Sequence, residues 1–256
     1  GASNDSILID TNMLSASIEA GAGSDTLNFS SSSVSILATT IKGGAGSDNI
    51  SLYGANDVVF DVASTDSIFG GTGADTLLFT GSVTRSSILA GSGNDSIVMA
   101  GTNQGGNSID LGVGTDTIKF TAATNADTVT VTNTSISGAK SLTYEKAATA
   151  PAITTGAGAD VVVFEDAVSG AGVISTNSGN DSIQFLKDAA FSSANLGAGS
   201  DSIYGAQIVS NSIISSAAGA DTFLISTVSS TAIYGGADKD QVTVTGSLYG
   251  ATVDFG

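Results

Sequence analysis

The sequence predicts an all-β chain that winds as a parallel β-solenoid, with about 20 residues in each coil. Three observations support this fold class. A short motif recurs along nearly the whole chain, apolar and polar residues alternate after each copy, and the composition favours strands and turns. The chain has 33 Gly, a single Pro and 41% hydrophobic residues. This apolar content is enough to build a core and is too high for a disordered acidic tail.

The recurring motif is Gly-x-Gly-x-Asp, followed by Ser or Thr, an aliphatic residue, any residue and a second apolar residue. A representative copy runs from Gly21 to Phe29, and its aspartate is Asp25. A unit this short cannot bury an apolar face alone, so it must stack on its neighbours as parallel strands. The repeated aspartates are Asp25, Asp48, Asp75, Asp95, Asp116, Asp160, Asp181, Asp201, Asp221 and Asp240.

The residues after each aspartate alternate with the period of a β-strand. In Asp95-Ser96-Ile97-Val98-Met99, the second and fourth residues after the aspartate are apolar, as in nearly every copy. We expect these positions to face the core and the intervening polar positions to face out. The second half of the units carries an aliphatic residue that we expect in the opposite strand: Ile18, Ile68, Ile88, Ile109, Ile153, Ile174, Ile213 and Ile233.

The glycines and aspartates of the motif together predict a cation-binding turn. Stacked coils place the aspartates about 4.8 Å apart, where two unit charges repel by roughly 1 kcal/mol in water and by more near a protein surface. Glycines adopt positive φ and turn carbonyls toward an ion, and carboxylates with carbonyls suit Ca²⁺ better than Mg²⁺. Simple turn formation is the alternative, but the aspartate keeps the same offset in every copy. The loop glycines are Gly21, Gly23, Gly44, Gly46, Gly71, Gly73, Gly91, Gly93, Gly112, Gly114, Gly156, Gly158, Gly179, Gly197, Gly199 and Gly219.

The motif resembles the Gly-Gly-x-Gly-x-Asp-x-apolar-x nonapeptides of the repeats-in-toxin family, and the resemblance covers almost the whole chain. It implies a β-roll with several Ca²⁺ ions, each held between neighbouring turns by aspartate carboxylates and loop carbonyls. On this analogy the ten aspartates and the loop glycines above are the metal-binding positions. The family often has a calcium loop on both sides of each coil. Here one recognisable loop per coil predicts calcium loops mainly along one side.

One departure from this pattern lies between Asp48 and Asp75. Asp57 and Asp66 divide that interval into nine-residue steps, which is the spacing of the two-sided family pattern. Either a second-side calcium site forms there, or this coil carries a longer loop.

A second departure is the segment 121–151, which contains no Gly-x-Gly-x-Asp and for which we expect an irregular coil. Lys140 aligns there with the aspartate position of the other units. Its ammonium group either takes the place of a calcium ion or is simply solvated. Tyr144-Glu145-Lys146 and Pro151 predict a protruding loop in this coil.

The composition also narrows the class of function. With 7 Lys and Arg against 24 Asp and Glu, the net charge of −17 argues against nucleic acid and anionic membranes as partners. The chain has no Cys and therefore neither disulfides nor thiolate metal sites. It also lacks His, so the usual general bases and nucleophile pairs are absent and we expect no enzyme.

We expect one calcium-binding solenoid over residues 1–256 that is part of a longer protein or of a stacked assembly. The predicted function is a structural element of the bacterial cell surface, such as a surface layer, filament or stalk, that is secreted and folds when it meets Ca²⁺. It would continue into further repeats or associate with itself, without inserting into a membrane. The alternative is an adhesin or an ice- or carbohydrate-binding module, with a cell-surface glycan as partner. Against ice binding, the outward loop positions form an irregular row: Ala22, Ala45, Thr72, Ser92, Val113, Ala157, Ser178, Ala198 and Ala218.

Overall fold

A computed structural model describes residues 1–10, 13–29, 36–37, 40–52, 67–79, 87–100, 107–121, 124–125, 128–130 and 140–256. Within these ranges the regular secondary structure is entirely β, so none of it is a helix that could span a lipid bilayer. The chain divides into a first unit, Gly1–Ala122 with Asp127–Val131, and a second unit, Ala123–Ala126 with Thr132–Gly256.

The described strands are short, as expected when a chain turns several times in each coil. In chain order they are β1 (Ser6–Ile9), β2 (Met13–Leu14), β3 (Ser17–Ala22), β4 (Thr26–Phe29), β5 (Ile36–Leu37), β6 (Thr40–Ala45), β7 (Asn49–Leu52), β8 (Ser67–Thr72), β9 (Thr76–Phe79), β10 (Ser87–Ser92), β11 (Ser96–Met99), β12 (Ser108–Asp110), β13 (Asp116–Phe120), β14 (Thr124–Asn125), β15 (Thr128–Thr130), β16 (Lys140–Tyr144), β17 (Ala148–Thr149), β18 (Ala152–Thr154), β19 (Val161–Phe164), β20 (Val168–Ser169), β21 (Val173–Ser175), β22 (Ser182–Phe185), β23 (Ala189–Ala190), β24 (Ser193–Asn195), β25 (Ser202–Ser210), β26 (Ile213–Ser215), β27 (Thr222–Ser229), β28 (Ala232–Tyr234), β29 (Gln241–Val244), β30 (Leu248–Tyr249) and β31 (Thr252–Asp254).

The first unit stacks one coil on the next through two parallel sheets. One sheet runs β1, β4, β7, β9, β11 and β13, and the other runs β3, β6, β8, β10, β12 and β15. Equivalent residues of successive repeats lie opposite each other, so Leu27 pairs with Ile50 and Ile50 pairs with Leu77. This is the ladder that the repeat predicts, and the fold class is confirmed.

The second unit is built in the same way. Its strands β16, β19, β22, β25, β27 and β29 form one parallel ladder, and β18, β21, β24, β26, β28 and β31 form another. In the earlier coils the short strands β17, β20 and β23 follow the first ladder after a bend in the chain. In the next two coils β25 and β27 continue through the same place as single long strands.

The core consists of the residues that the alternation placed inward. Ile97 and Met99 are buried, and so are their counterparts Leu77 and Phe79 one coil earlier. In the second unit the inner column is aromatic: Tyr144 stacks on Phe164, and Phe164 on Phe185, at centroid distances of 4.8 and 5.3 Å. Full burial of one such side chain stabilises the fold by roughly 1.5–3 kcal/mol.

Ile213 lies in the strand in which the sequence places it, and the structure adds which of two adjacent isoleucines enters the core. Ile213 is 50% exposed, whereas the adjacent Ile214 is fully buried and lies opposite Ile233. Because side chains on a strand alternate between faces, a choice between two neighbouring isoleucines decides which of them enters the core. The register with the next coil makes that choice in favour of Ile214.

The protruding loop predicted from Tyr144-Glu145-Lys146 and Pro151 is wrong. Tyr144 is buried beneath Phe164, and Ala148 lies opposite Val168 as a regular part of the ladder. The carbonyl of Pro151 accepts a hydrogen bond from the Val173 amide, 2.8 Å. Proline lacks only a donor, so it fits a coil position at which only its acceptor is used.

Three other predictions fall outside the residues that the structure describes. These concern Asp57, Asp66 and the side chain of Lys140, whose backbone lies in β16 one residue before the pair Ser141 and Val161. The interpretation of the chain as one solenoid within a longer protein or an assembly stays a prediction.

Candidate metal centre

The repeat aspartates occupy the same loop position in successive coils, where each one holds the coil before it. The amide of Asp48 donates a hydrogen bond to Oδ1 of Asp75, 2.7 Å, and the amide of Asp75 donates to Oδ1 of Asp95, 2.8 Å. In the second unit, the amide of Asp181 donates to Oδ1 of Asp201, 2.8 Å. Each carboxylate therefore uses one oxygen to fix the register between two coils.

A second hydrogen bond runs in the opposite direction across the same step. The amide of Thr76, which follows Asp75, donates to the main-chain carbonyl of Asp48, 2.7 Å. The equivalent bond in the second unit joins the Thr222 amide to the Asp201 carbonyl, 2.8 Å. Two coils are thus fastened at each aspartate by one side-chain and one main-chain acceptor.

The second carboxylate oxygen is the atom that points to a cation. It is buried and accepts no hydrogen bond, although a buried carboxylate oxygen without a partner is strongly unfavourable. A bound divalent cation would satisfy it, so the residues present fit Ca²⁺. This orphaned Oδ2 occurs at Asp25, Asp48, Asp75, Asp181, Asp201, Asp221 and Asp240.

Burial also changes the acidity of these groups. It raises the pKa of Asp181 to about 7 and the pKa of Asp75 and Asp201 to about 6. The pKa of Asp48 is also raised, by burial and by the charge of Asp25. Backbone hydrogen bonds to the carboxylates lower these pKa values in part. Without a cation these carboxylates tend to take up protons, and a divalent ion would restore the charged form.

The loop glycines stack as closely as the aspartates. Gly73 has φ 130°, and a Cβ at this position would collide with the carbonyl oxygen of Gly46 in the preceding coil. Its amide donates to the Ser92 carbonyl of the following coil, 2.8 Å. Gly199 is arranged in the same way above the Gly179 carbonyl, with φ 139°. Only glycine fits such a column, and the carbonyls along it are the natural second source of calcium ligands.

No three carboxylates converge at one point anywhere in the described ranges. An ion here would therefore be held by one or two carboxylates together with main-chain carbonyls, as oxygen-rich calcium sites allow. The ligand role of each aspartate and glycine stays a prediction. The alignment of the aspartates in a column within each unit is what the structure adds.

Sequence reasoning missed three kinds of residue beside the aspartates. Asn94 and Asn180 precede the aspartate and accept bonds from the next coil at Thr115 and Ser200, 3.0 and 2.9 Å. The recurrence of Asn before Asp was the available signal. Buried hydroxyls also fasten coils, since Thr176 Oγ1 donates to the Leu196 carbonyl, 3.0 Å.

The third missed residue is Asp238, which stands where the other loops have their second glycine. It adopts φ 86°, a region that residues with a Cβ rarely occupy. The last copy of the motif therefore departs from the others at a backbone position as well as in its sequence.

A scan against protein families matched the RTX calcium-binding nonapeptide repeat at residues 38–60 and 43–77. Residues 38–77 therefore carry RTX calcium-binding repeats. A search of curated proteins found no match. Among solved structures, the chain is similar to a hyperactive, Ca²⁺-dependent, β-helical antifreeze protein from an Antarctic bacterium, with 21% identity and a TM-score of 0.73. The similarity covers 99% of this chain and 76% of the other, and at this identity it shows the fold.

The repeats and the loop geometry together support several Ca²⁺ ions per chain. A bound calcium ion would supply positive charge to these buried carboxylates, and the loop carbonyls beside them would be the further oxygen ligands. The chain's own contribution is the register: the carboxylate Oδ1 is committed to the preceding coil, which leaves Oδ2 directed away from that bond.

Proposed function

We propose that this chain is a secreted structural element of the bacterial cell surface, such as a surface-layer, filament or stalk segment, whose folding and assembly are driven by Ca²⁺. One observation carries the proposal: in both units aspartates such as Asp75 and Asp201 join successive coils through Oδ1 while leaving a buried, unpartnered Oδ2. The metal requirement is thereby built into the contacts that hold the coils together.

Metal-coupled folding follows from this arrangement. In a calcium-poor cytoplasm, the repulsion within a chain of net charge −17 and the cost of burying carboxylates both oppose folding. Outside the cell, an ion at 100 times its dissociation constant stabilises the folded chain by about 2.7 kcal/mol per site. The contributions of several sites along a column add up. The chain would therefore stay unfolded during export and fold when it reaches extracellular Ca²⁺.

The outward loop residues favour a structural role and not a repeated binding surface. In the second unit the outward positions pair in register at Ala157, Ser178, Ala198, Ala218 and Ala237. Four of the five are alanine, and one is serine. RTX repeats and β-solenoids are typical of non-enzymatic structural proteins, and we propose no catalytic role for this chain.

The test is a calcium titration of EDTA-treated protein, followed by circular dichroism and by size-exclusion chromatography with light scattering. We expect a cooperative gain of β signal with Ca²⁺ that Mg²⁺ does not produce, and a simultaneous increase in mass from self-association. A chain that is fully folded in EDTA and unchanged by Ca²⁺ would overturn the metal-coupled account. Calcium-dependent folding without any increase in mass would remove the self-assembly part alone.

A second candidate is an ice-binding module, which the fold similarity to an antifreeze protein favours. The in-register row of outward loop residues is the surface that would be used. Thermal hysteresis and ice-recrystallisation assays on the calcium-loaded chain test it directly. We expect neither activity, because Val113, Ala157 and Ala198 interrupt any row of hydroxyl groups. Faceted ice crystals at micromolar protein would reverse this ranking.

A further inference from the structure

A groove opens on the second unit, along the strands that follow Asp201 and Asp221. It is lined by Tyr204, Gly205, Ala206, Leu224, Ser226 and Thr245 and has a volume of about 230 Å³. Tyr204 and Leu224 are adjacent across β25 and β27 and are 42% and 38% exposed. Large apolar side chains exposed side by side beside a concave surface are a common mark of a binding site.

The groove results from an irregularity in the ladder. Tyr204 pairs with Leu224 and Gly205 with Ile225, but the next pair is Ile208 with Thr227. The strand β25 thus contains one residue more than β27 over this interval, which is a β-bulge. In the preceding coil the same place is a turn after Phe185. Bulges are often found beside functional sites because they redirect side chains.

The small residues at the bulge provide the floor of the groove. Gly205 falls in the inward column that holds Phe185 one coil earlier, and the side chains of Val209 and Ile225 fill the space on its inner side. Ala206 follows it with a single methyl group. The walls therefore combine the Tyr204 ring and the Leu224 side chain with the hydroxyl-bearing residues Ser226 and Thr245.

We propose that this groove binds a neutral sugar unit of a glycan. A pyranose ring has an apolar C–H face that stacks on an aromatic ring and a rim of hydroxyls that hydrogen-bond to Ser and Thr. None of the lining residues carries a charge at neutral pH, although the chain carries −17. An anionic sugar would be repelled by that field, and a cationic peptide would find no carboxylate among the lining residues. The volume lies below the roughly 300–1,000 Å³ of drug-sized pockets, which suits one ring.

The experiment uses the calcium-loaded chain in native gels that contain dextran, galactomannan or hydroxyethyl cellulose, with saturation-transfer NMR of the matching methyl glycosides. We expect retardation by at least one polysaccharide, and a loss of affinity of about tenfold or more in Tyr204→Ala. Tyr204→Phe keeps the ring and is expected to retain binding. Tyr234→Ala is the matched control, since Tyr234 is 41% exposed but lies in β28 of the other sheet.

Absence of retardation by all three polysaccharides would overturn the proposal, and so would equal losses in Tyr204→Ala and Tyr234→Ala. A fall in the mass of a calcium-loaded oligomer in Tyr204→Ala, without sugar binding by the parent chain, would assign the groove to contact between copies instead. Circular dichroism of each variant in Ca²⁺ shows that it folds. A failed sugar assay with intact calcium-dependent folding leaves the proposed structural function untouched.

Discussion

The two units hold equivalent aspartates through loops with different backbone paths. In most loops of the first unit the strand continues through the first glycine of the motif, as in Ser67–Thr72, where Gly71 has φ 129°. The last loop of that unit differs, because Ser108–Asp110 ends before Gly112, which has φ 70°. In the second unit the strand stops earlier, as in Ser193–Asn195, and Gly197 has φ 84°. The Oδ1 bond to the preceding coil is nevertheless the same in both. The conserved feature of the repeat is therefore the aspartate clamp, and the path into the loop can vary around it.

The difference has a chemical consequence at the residue five places before the aspartate. In the first unit it is glycine or alanine before four of the five aspartates and Leu111 before Asp116. Gly70 lies so close to Asp75 that a Cβ would collide with the orphaned Oδ2. In the second unit Thr176 lies before Asp181 at this position and is buried, and its hydroxyl lowers the pKa of Asp181 against the larger effect of burial. Gly235, before Asp240, returns to the first arrangement. The units thus offer different surroundings to the same carboxylate.

The largest effect is expected where the two loops agree, at the second glycine. Gly73→Ala in the first unit and Gly219→Ala in the second each place a Cβ against a carbonyl of the preceding coil at φ 130° and 133°. We expect each to cost about 3 kcal/mol or more, because strain and collision add. Urea unfolding in saturating Ca²⁺ measures the loss. Gly250→Ala is the control: φ is 55° there, but a Cβ would meet no close atom, so only the smaller strain applies. Losses no larger than in that control would show that the glycine columns can relax.

The next effect separates the two roles of the carboxylate. Asp201→Asn keeps an acceptor for the Asp181 amide but removes the charge and the anionic Oδ2. We expect the variant to be more stable than the parent in EDTA and less stable in Ca²⁺, by about 1–3 kcal/mol in the second case. Chemical unfolding with and without Ca²⁺ measures both. Asp188→Asn, at an exposed aspartate outside the column, is expected to change neither. A loss of stability in EDTA would contradict the view that the buried charge is unfavourable without a cation.

Acidification tests the same point without mutation. The pKa values of Asp75, Asp181 and Asp201 are raised to about 6, 7 and 6 in the folded chain, so the folded state binds more protons than the unfolded state. Stability in EDTA should therefore fall as the pH rises from about 4 to about 7. Urea midpoints in EDTA at pH 5 and pH 7.5 measure this, and we expect the higher midpoint at pH 5. In Ca²⁺ the trend should reverse, since protons compete with the metal.

The sequence alone predicts much of this arrangement. The period of the motif gives the parallel coils, and alternation after Asp95 places Ile97 and Met99 correctly in the core. It cannot choose between Ile213 and Ile214, because adjacent identical residues differ only through the register with other coils. The Oδ1 clamp was also out of reach, since the donor belongs to the preceding coil about 20 residues away. For the same reason nothing in the composition reveals the bulge after Gly205 or the groove at Tyr204.

The smallest effect isolates what distinguishes the second unit. Thr176→Val removes the hydroxyl that donates to the Leu196 carbonyl and lowers the pKa of Asp181. We expect a loss of about 1 kcal/mol and a further rise in the pKa of Asp181, because burial then acts on it with less opposition. That rise should steepen the fall of stability with pH in EDTA and weaken calcium binding near neutral pH. Urea unfolding across pH and a calcium titration followed by calorimetry measure the two effects.

Thr231→Val provides the matched comparison for this last change. Thr231 is also buried, and its hydroxyl donates to the Ser229 carbonyl, 2.9 Å, about midway between Asp221 and Asp240 in the sequence. It should lose a similar amount of stability while leaving the pH slope and the calcium affinity as in the parent. If both variants change the slope equally, the hydroxyl of Thr176 fastens the coils and has no influence on the carboxylate. If only Thr176→Val does, this loop of the second unit tunes Asp181 with a hydroxyl, where four of the five loops of the first unit have glycine or alanine.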